Sequence, residues 1–214
     1  MRRILFGLFI ALAPVAARAT PEALGLALGA LARGDLDLAT QAAAQIEDPV
    51  ARDIVEWTQL RRGGGEWSAY VDFLARNADW PGLEYLRRQG EPSIPSRANP
   101  DRVIAYFADH PPGTGAGVLA LALAHQAKGD SASAEAEAIR GWTNLTMTGP
   151  EAVALRAAFG DVLNRGRHHI DRLDHLLWEG AEERARAMFP LVPDGWQRLA
   201  EARLALRARS QSSA

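Results

Sequence analysis

Leu26-Ala27-Leu28, Ala32-Arg33-Gly34-Asp35, Ala39 and Ala43 recur 95 residues further on as Leu121-Ala122-Leu123, Ala127-Lys128-Gly129-Asp130, Ala134 and Ala138. A shorter echo surrounds Leu177, Gly180, Ala185 and Phe189. The physical content of the pattern is a helical hairpin. A glycine closes one helix in the left-handed conformation, a short turn comes next, and alanines let the returning helix pack closely. Such a hairpin cannot bury its own apolar face, so several must stack. The expected fold class is therefore all-α, a superhelix or solenoid of short antiparallel hairpins. Its irregular spacing makes it tetratricopeptide-like without the strict repeat of roughly 34 residues.

Helical periodicity extends through most of the chain. Trp67, Tyr70, Val71 and Leu74 fall at i, i+3, i+4 and i+7, as one apolar helix face requires. Val50, Ile54, Trp57 and Leu60 give a second such stripe, and Ile170, Leu173 and Leu177 a third. Breaks fall at Gly34-Asp35, Gly63-Gly64-Gly65, Pro81, Pro111-Pro112, Gly129-Asp130, Gly149-Pro150, Gly166, Gly180 and Pro193. Alternating strand patterns are missing, so the pattern predicts about a dozen short helices.

The composition excludes more than it identifies. The 214 residues are 48% hydrophobic and 23% charged, which suits a chain with a real core. A formal charge of -2 gives no pull toward nucleic acid, and the absence of cysteine excludes disulfides and thiolate chemistry. At the start, Arg2 and Arg3 precede an apolar run from Ile4 to Ala13, and Ala17-Arg18-Ala19 fits a cleavage site. Residues 1–19 are thus expected to be a signal peptide cut after Ala19, leaving a soluble exported chain, periplasmic in a cell with two membranes. The apolar run is too short for the roughly 20 residues of a membrane span, and no transmembrane segment is expected after cleavage. Losing Arg2, Arg3 and Arg18 leaves 21 basic against 26 acidic residues. The superhelical domain is expected over 20–209, and 210–214 reads as a polar tail.

Each candidate for chemistry has a simpler role beside it. His168, His169, Asp171, Asp174 and His175 form the best metal-like cluster, with Asp171 and His175 four apart on one face. The stripe of Ile170, Leu173 and Leu177 explains the same helix without a metal. Glu56 beside Trp57 and Glu84 beside Tyr85 read as exposed helix acids rather than a glycosidase pair. Gly63-Gly64-Gly65 reads as a flexible turn, not a phosphate cradle. Of the six tryptophans, Trp57, Trp67 and Trp178 are expected in the core between hairpins. Trp80 precedes Pro81 at a helix start that Asp79 or Asn77 could cap, and core or staple roles are expected of the six as a group rather than a carbohydrate surface. Arg61-Arg62 and Arg87-Arg88 read as solvated charges near helix ends. No catalytic, cofactor-binding or metal residue is assigned.

One span carries a resemblance. Trp57-Thr58-Gln59-Leu60-Arg61-Arg62-Gly63-Gly64-Gly65-Glu66-Trp67-Ser68-Ala69-Tyr70, then Phe73-Leu74, Asp79-Trp80-Pro81-Gly82-Leu83 and Gly90-Glu91, resembles the N-terminal superhelical, U-shaped domain of bacterial soluble lytic transglycosylases. The resemblance covers residues from about 22 onward. It implies a scaffold that acts in cleaving peptidoglycan glycan strands. In that family a separate lysozyme-like domain carries the catalytic glutamate, in an E-S pair with G-L-M-Q after it. No glutamate of this chain precedes a serine and no G-L-M-Q occurs, so no position receives that role. The chain is then expected to be inactive alone, as a fragment of a longer enzyme or as a stand-alone relative. Its implied partners are peptidoglycan or its processing machinery and a downstream catalytic domain. The alternative is an exported helical-repeat adaptor whose groove binds a peptide or partner protein. A third reading, an independent glycosidase, needs an unrecognised pair of carboxylates.

Overall fold

A computed structural model describes residues 21–212, so the expected signal peptide and its cleavage site lie outside the described residues. Those residues form twelve α-helices and two short 3-10 turns, with no strand among them, and the fold is all-α. No helix among them is long and apolar enough to cross a membrane. The described residues divide into two compact units, the first ending at Gln59 and the second beginning at Leu60.

The first unit holds α1 (Pro21–Arg33), α2 (Leu36–Ala43) and nearly all of α3 (Pro49–Leu60). Its core is built from small residues: Ala27, Ala30, Leu31, Ala39, Ala42, Ile46, Ala51 and Val55 are buried together. In the Leu26-Ala27-Leu28 triplet the alanine is the buried member and Leu26 is exposed, so α1 packs along an alanine seam. Of the stripe expected on α3, Leu60 is buried and Ile54 half-buried, while Ala51 and Val55 take the inward places beside Val50 and Ile54. Val50 is 59% exposed while its neighbour Ala51 is buried, because a seam of alanines favours the smaller side chain for close approach. Trp57 is only half-buried.

The second unit runs through α4 (Trp67–Arg76), α5 (Leu83–Gly90), α6 (Pro100–Tyr106), α7 (Gly115–Ala127), α8 (Ser131–Asn144), α9 (Gly149–Leu163), α10 (His168–Trp178), α11 (Glu182–Ala187) and α12 (Asp194–Ser212). The 3-10 turns are Glu91–Ser93 and Phe189–Leu191. The helix that continues α12 to Ser212 takes in three residues expected in the polar tail. A core of Val118, Ala122, Ala134, Ala138, Trp142, Met147, Leu155, Leu163, Leu173 and Leu176 ties α7 to α10, and Ala185, Met188, Ala200 and Leu204 extend it. Each large apolar side chain fully buried there contributes roughly 1.5–3 kcal/mol.

Nearer the start of this unit the aromatic residues dominate. Trp67 meets Tyr106 edge-on at 5.8 Å, and Phe73 meets Trp80 at 5.4 Å and 90°. The buried Tyr70 hydroxyl donates to the Leu60 carbonyl at 2.9 Å, and that of Tyr106 to the Arg87 carbonyl at 2.8 Å. Gly90 makes this packing possible, since a Cβ there would lie 2.7 Å from the Tyr70 ring. The three glycines after Arg62 form a packed turn: Gly63 has φ +78°, and a Cβ on Gly65 would meet Leu60 at 2.5 Å. The cap expected on α5 is different. Asn77 ends α4, donating through its side chain to the Phe73 carbonyl, and α5 begins at Leu83 after Gly82 in the left-handed conformation. Trp178 is likewise corrected: it is 76% exposed, one position past the buried Leu177 at the end of α10.

Three hairpin turns share one geometry. Gly34, Gly129 and Gly180 have φ of 78°, 80° and 73°. In each, the residue after the glycine donates its N–H to a carbonyl five positions back, Asp35 to Ala30, Asp130 to His125 and Ala181 to Leu176, at 3.0, 3.0 and 2.9 Å. This is the bond that closes a Schellman motif. Asp35 and Asp130 then cap the next helix, accepting from the N–H groups of Leu38 and Ser133. Ala39, Ala134 and Ala185, each five positions after its glycine, are all buried.

Candidate functional site

The polar centre of the second unit is the start of α7. A helix start presents backbone N–H groups without helical partners, and here side chains from three elements bind those of Ala116 and Gly117 and the two just before the helix, Gly113 and Thr114. Thr114 is the N-cap, its hydroxyl accepting from the Gly117 N–H at 3.0 Å. That hydroxyl donates in turn to Oε2 of Glu91 at 2.6 Å, and the Thr114 and Gly113 N–H groups donate to the same carboxylate at 2.7 and 2.9 Å. From the other side Glu151 Oε1 accepts from the Ala116 N–H at 3.1 Å. Glu151 also closes a capping box with Thr148 at the start of its own helix α9. Two glycines admit these carboxylates. A Cβ on Gly117 would lie 2.3 Å from Glu91 Oε2, and one on Gly115 would lie 2.6 Å from the Glu151 Cβ. Arg140 completes the network, paired with Glu137 and donating to the Pro112 carbonyl at 2.9 Å.

Glu91 is 4% exposed. Burial pushes its carboxyl up from the ordinary value, against the opposing pull of Gly113, Thr114 and Arg88. Its partners favour the ionised form, because the Gly113 and Thr114 N–H groups, which can only donate, and the Thr114 hydroxyl converge on its two oxygens. A carboxylate filled by donors at a helix start is an anchor, stabilised by the helix dipole. A general acid would need a proton free to hand over.

Glu91 also forms part of the wall of the larger groove, a volume of about 300 Å³ between the Glu91–Ser93 turn, α6 and α7. Pro92, Ile94, Pro95, Val103, Leu119 and Leu123 give it an apolar lining, and among the described residues Glu91 is the only acid in it. The paired carboxylates of a glycosidase are not assembled here. What the groove offers is an apolar trough over a buried anchor.

The metal-like cluster of α10 is pulled apart by separate partners. Asp171 pairs with Arg167 at 2.7 Å, Asp174 with Arg203, and His175 contacts Thr146 at 3.4 Å. His169 contacts Asn164 at 2.9 Å and sits edge-on to Trp142 at 5.5 Å. Among the described residues no group of three or more His, Asp or Glu side chains is placed to hold a metal ion. Glu84 is exposed beside Arg88, and Glu56 is half-buried. Arg87 is not simply solvated: it lies 5.7 Å over the Tyr106 ring and donates to the Tyr106 carbonyl.

Two residues escape sequence reasoning. Glu91 is one acid among 26, and the signal that could have found it is the spaced Gly113, Gly115 and Gly117 that make room for carboxylates. Arg172, 2% exposed, donates to the carbonyls of Trp142 and Leu145 at 2.8 and 3.2 Å, and no local pattern marks an arginine for burial. In comparisons with known proteins, no family model, curated protein or solved structure matches the chain.

Proposed function

We propose that the chain is an exported, non-catalytic helical scaffold of the kind that forms the superhelical N-terminal domain of bacterial soluble lytic transglycosylases, acting in the periplasm in peptidoglycan turnover. The observation that carries this reading is the span from Leu60-Arg61 through Gly63, Trp67 and Tyr70 to Asp79-Trp80-Pro81 and Gly90. Its distinctive residues are those with specific jobs: a left-handed glycine, ring partners, and a glycine pressed on the Tyr70 ring. Repeated hairpins with a common turn support stacking into a superhelix. The donor-filled Glu91 supports a scaffold without chemistry of its own.

Incubating the purified chain with peptidoglycan sacculi tests the proposal. Co-sedimentation without muropeptide release is the expected result. Failure to bind sacculi would sink it. Release of muropeptides, abolished by Glu91→Gln, would replace it with a glycosidase reading. The adaptor alternative has one observation in its favour, the proline-rimmed apolar trough beside α7, which suits an extended peptide.

A further inference from the structure

A second groove of about 190 Å³ opens between the α8–α9 connection, α9, α10 and α11. Its walls are apolar, with Met147, Val153, Met188 and Leu191 prominent, yet three arginines line it, Arg156, Arg172 and Arg184. Among the described residues no aspartate or glutamate lines it. Among the described residues neither Arg156 nor Arg184 has an ion pair or hydrogen bond. Glu151, on the same helix as Arg156, is already committed to Thr148 and Ala116.

Arg172 makes this excess of charge unusual. It is 2% exposed, and a buried guanidinium is costly unless compensated. Its compensation is incomplete. Two carbonyls accept from Nη1 and the Trp142 ring lies 4.2 Å away, but among the described residues the buried Nε has no partner, nor has the buried Trp142 Nε1. Burial first, and the charge of Arg184 second, lower the Arg172 pKa to about 10. His169 beside it is also pushed down, by burial and then by Arg156, His168 and Arg172. Three arginines thus share one groove lining with no carboxylate of the described residues among them.

We propose that this groove binds a small carboxylate bearing an apolar group, with the carboxylate facing Arg156, Arg172 and Arg184 and the apolar group against Met147, Val153 and Leu191. Guanidinium groups suit a planar carboxylate, which they can engage through paired N–H donors. The volume lies below the roughly 300–1,000 Å³ of pockets for drug-sized ligands, so the ligand is small or is the end of a larger one. A free acid and the C-terminal residue of a peptide share this chemistry. The proposal stands independently of the scaffold reading.

Calorimetric titration of the full chain with N-acetyl-leucine and the N-acetylated tripeptide Gly-Gly-Leu, each against its uncharged C-terminal amide, tests it. The acid forms should bind and the amides should not. Tighter binding of the tripeptide would identify a peptide terminus as the source, and tighter binding of N-acetyl-leucine a free acid. Arg184→Gln and Arg156→Gln, both at exposed positions, should each weaken binding roughly tenfold or more, while Arg186→Gln, outside the groove on the same helix as Arg184, should leave it unchanged. No binding of either acid, equal binding of acid and amide, or affinity untouched by both variants would overturn the proposal. So would inorganic phosphate binding as tightly as the acids, which would leave only an unselective cationic patch.

Discussion

The hairpin of α7 and α8 and that of α10 and α11 turn on the same backbone but differ in how the returning helix begins. Both place a glycine in the left-handed region, both close it with an N–H to the carbonyl five positions back, and both bury an alanine five positions on. The first then supplies Asp130 as a cap and continues for fourteen residues; the second has Ala181, which cannot cap, and α11 ends after six. The difference separates two tasks. Glycine and alanine set the direction and closeness of the return, whereas the capping acid supports the start of the helix that returns.

Changes at the shared alanine should break both hairpins most severely. Ala134→Leu and Ala185→Leu should each cost about 1–3 kcal/mol in chemical denaturation, since an extra isopropyl group has no space in either seam. Next comes the shared glycine. Gly129→Ala places a methyl in open space, so its expected cost, about 1–2 kcal/mol, isolates the left-handed backbone. Gly180→Ala should cost more, because its Cβ would also meet the Arg207 guanidinium at 3.0 Å.

The unshared position should give the smaller effects. Ala181→Asp should stabilise by about 0.5–1 kcal/mol, at the low end for a new cap because Glu182 and Glu183 already occupy the first turn. A loss of stability there would show that Asp130 works by something other than capping. The Asp130 cap should also reveal itself through pH. The Ser133 hydroxyl first, then the Ser133 N–H and His125, hold the Asp130 carboxyl below its usual value. A depressed folded-state value means that its contribution is present above the unfolded pKa of about 3.9 and is lost as pH falls through the lower, folded value. The melting-temperature gap between the native chain and Asp130→Ala should therefore be widest near neutrality and narrow in acid, while Ala181, having no charge, gives the third hairpin no such dependence.

How much of the molecule is legible in its sequence depends on the range of the forces involved. The turns at Gly34, Gly129 and Gly180 are legible because a left-handed glycine and the cap beside it are local matters. Trp178 departs from its expected place because adjacent helix positions point about 100° apart, and a side chain one step past Leu177 can leave the core altogether. Val50 and Ala51 show the same sensitivity in the first unit. Asn77 cannot be placed as a cap before it is known which helix ends there and where the next begins. Glu91 and Arg172 are the least legible, since their partners lie 22 to 30 residues away and are mostly backbone atoms, which carry no residue type to recognise.

Glu151 serves two helix starts at once, accepting from Thr148 at the start of α9 and from Ala116 in the first turn of α7. Neither end can fray without releasing one oxygen of a carboxylate that the other still holds. The two helices thus belong to one cooperative opening unit, and the Ala116 and Thr148 amides should exchange with solvent deuterium together, through a shared event rather than two independent local ones.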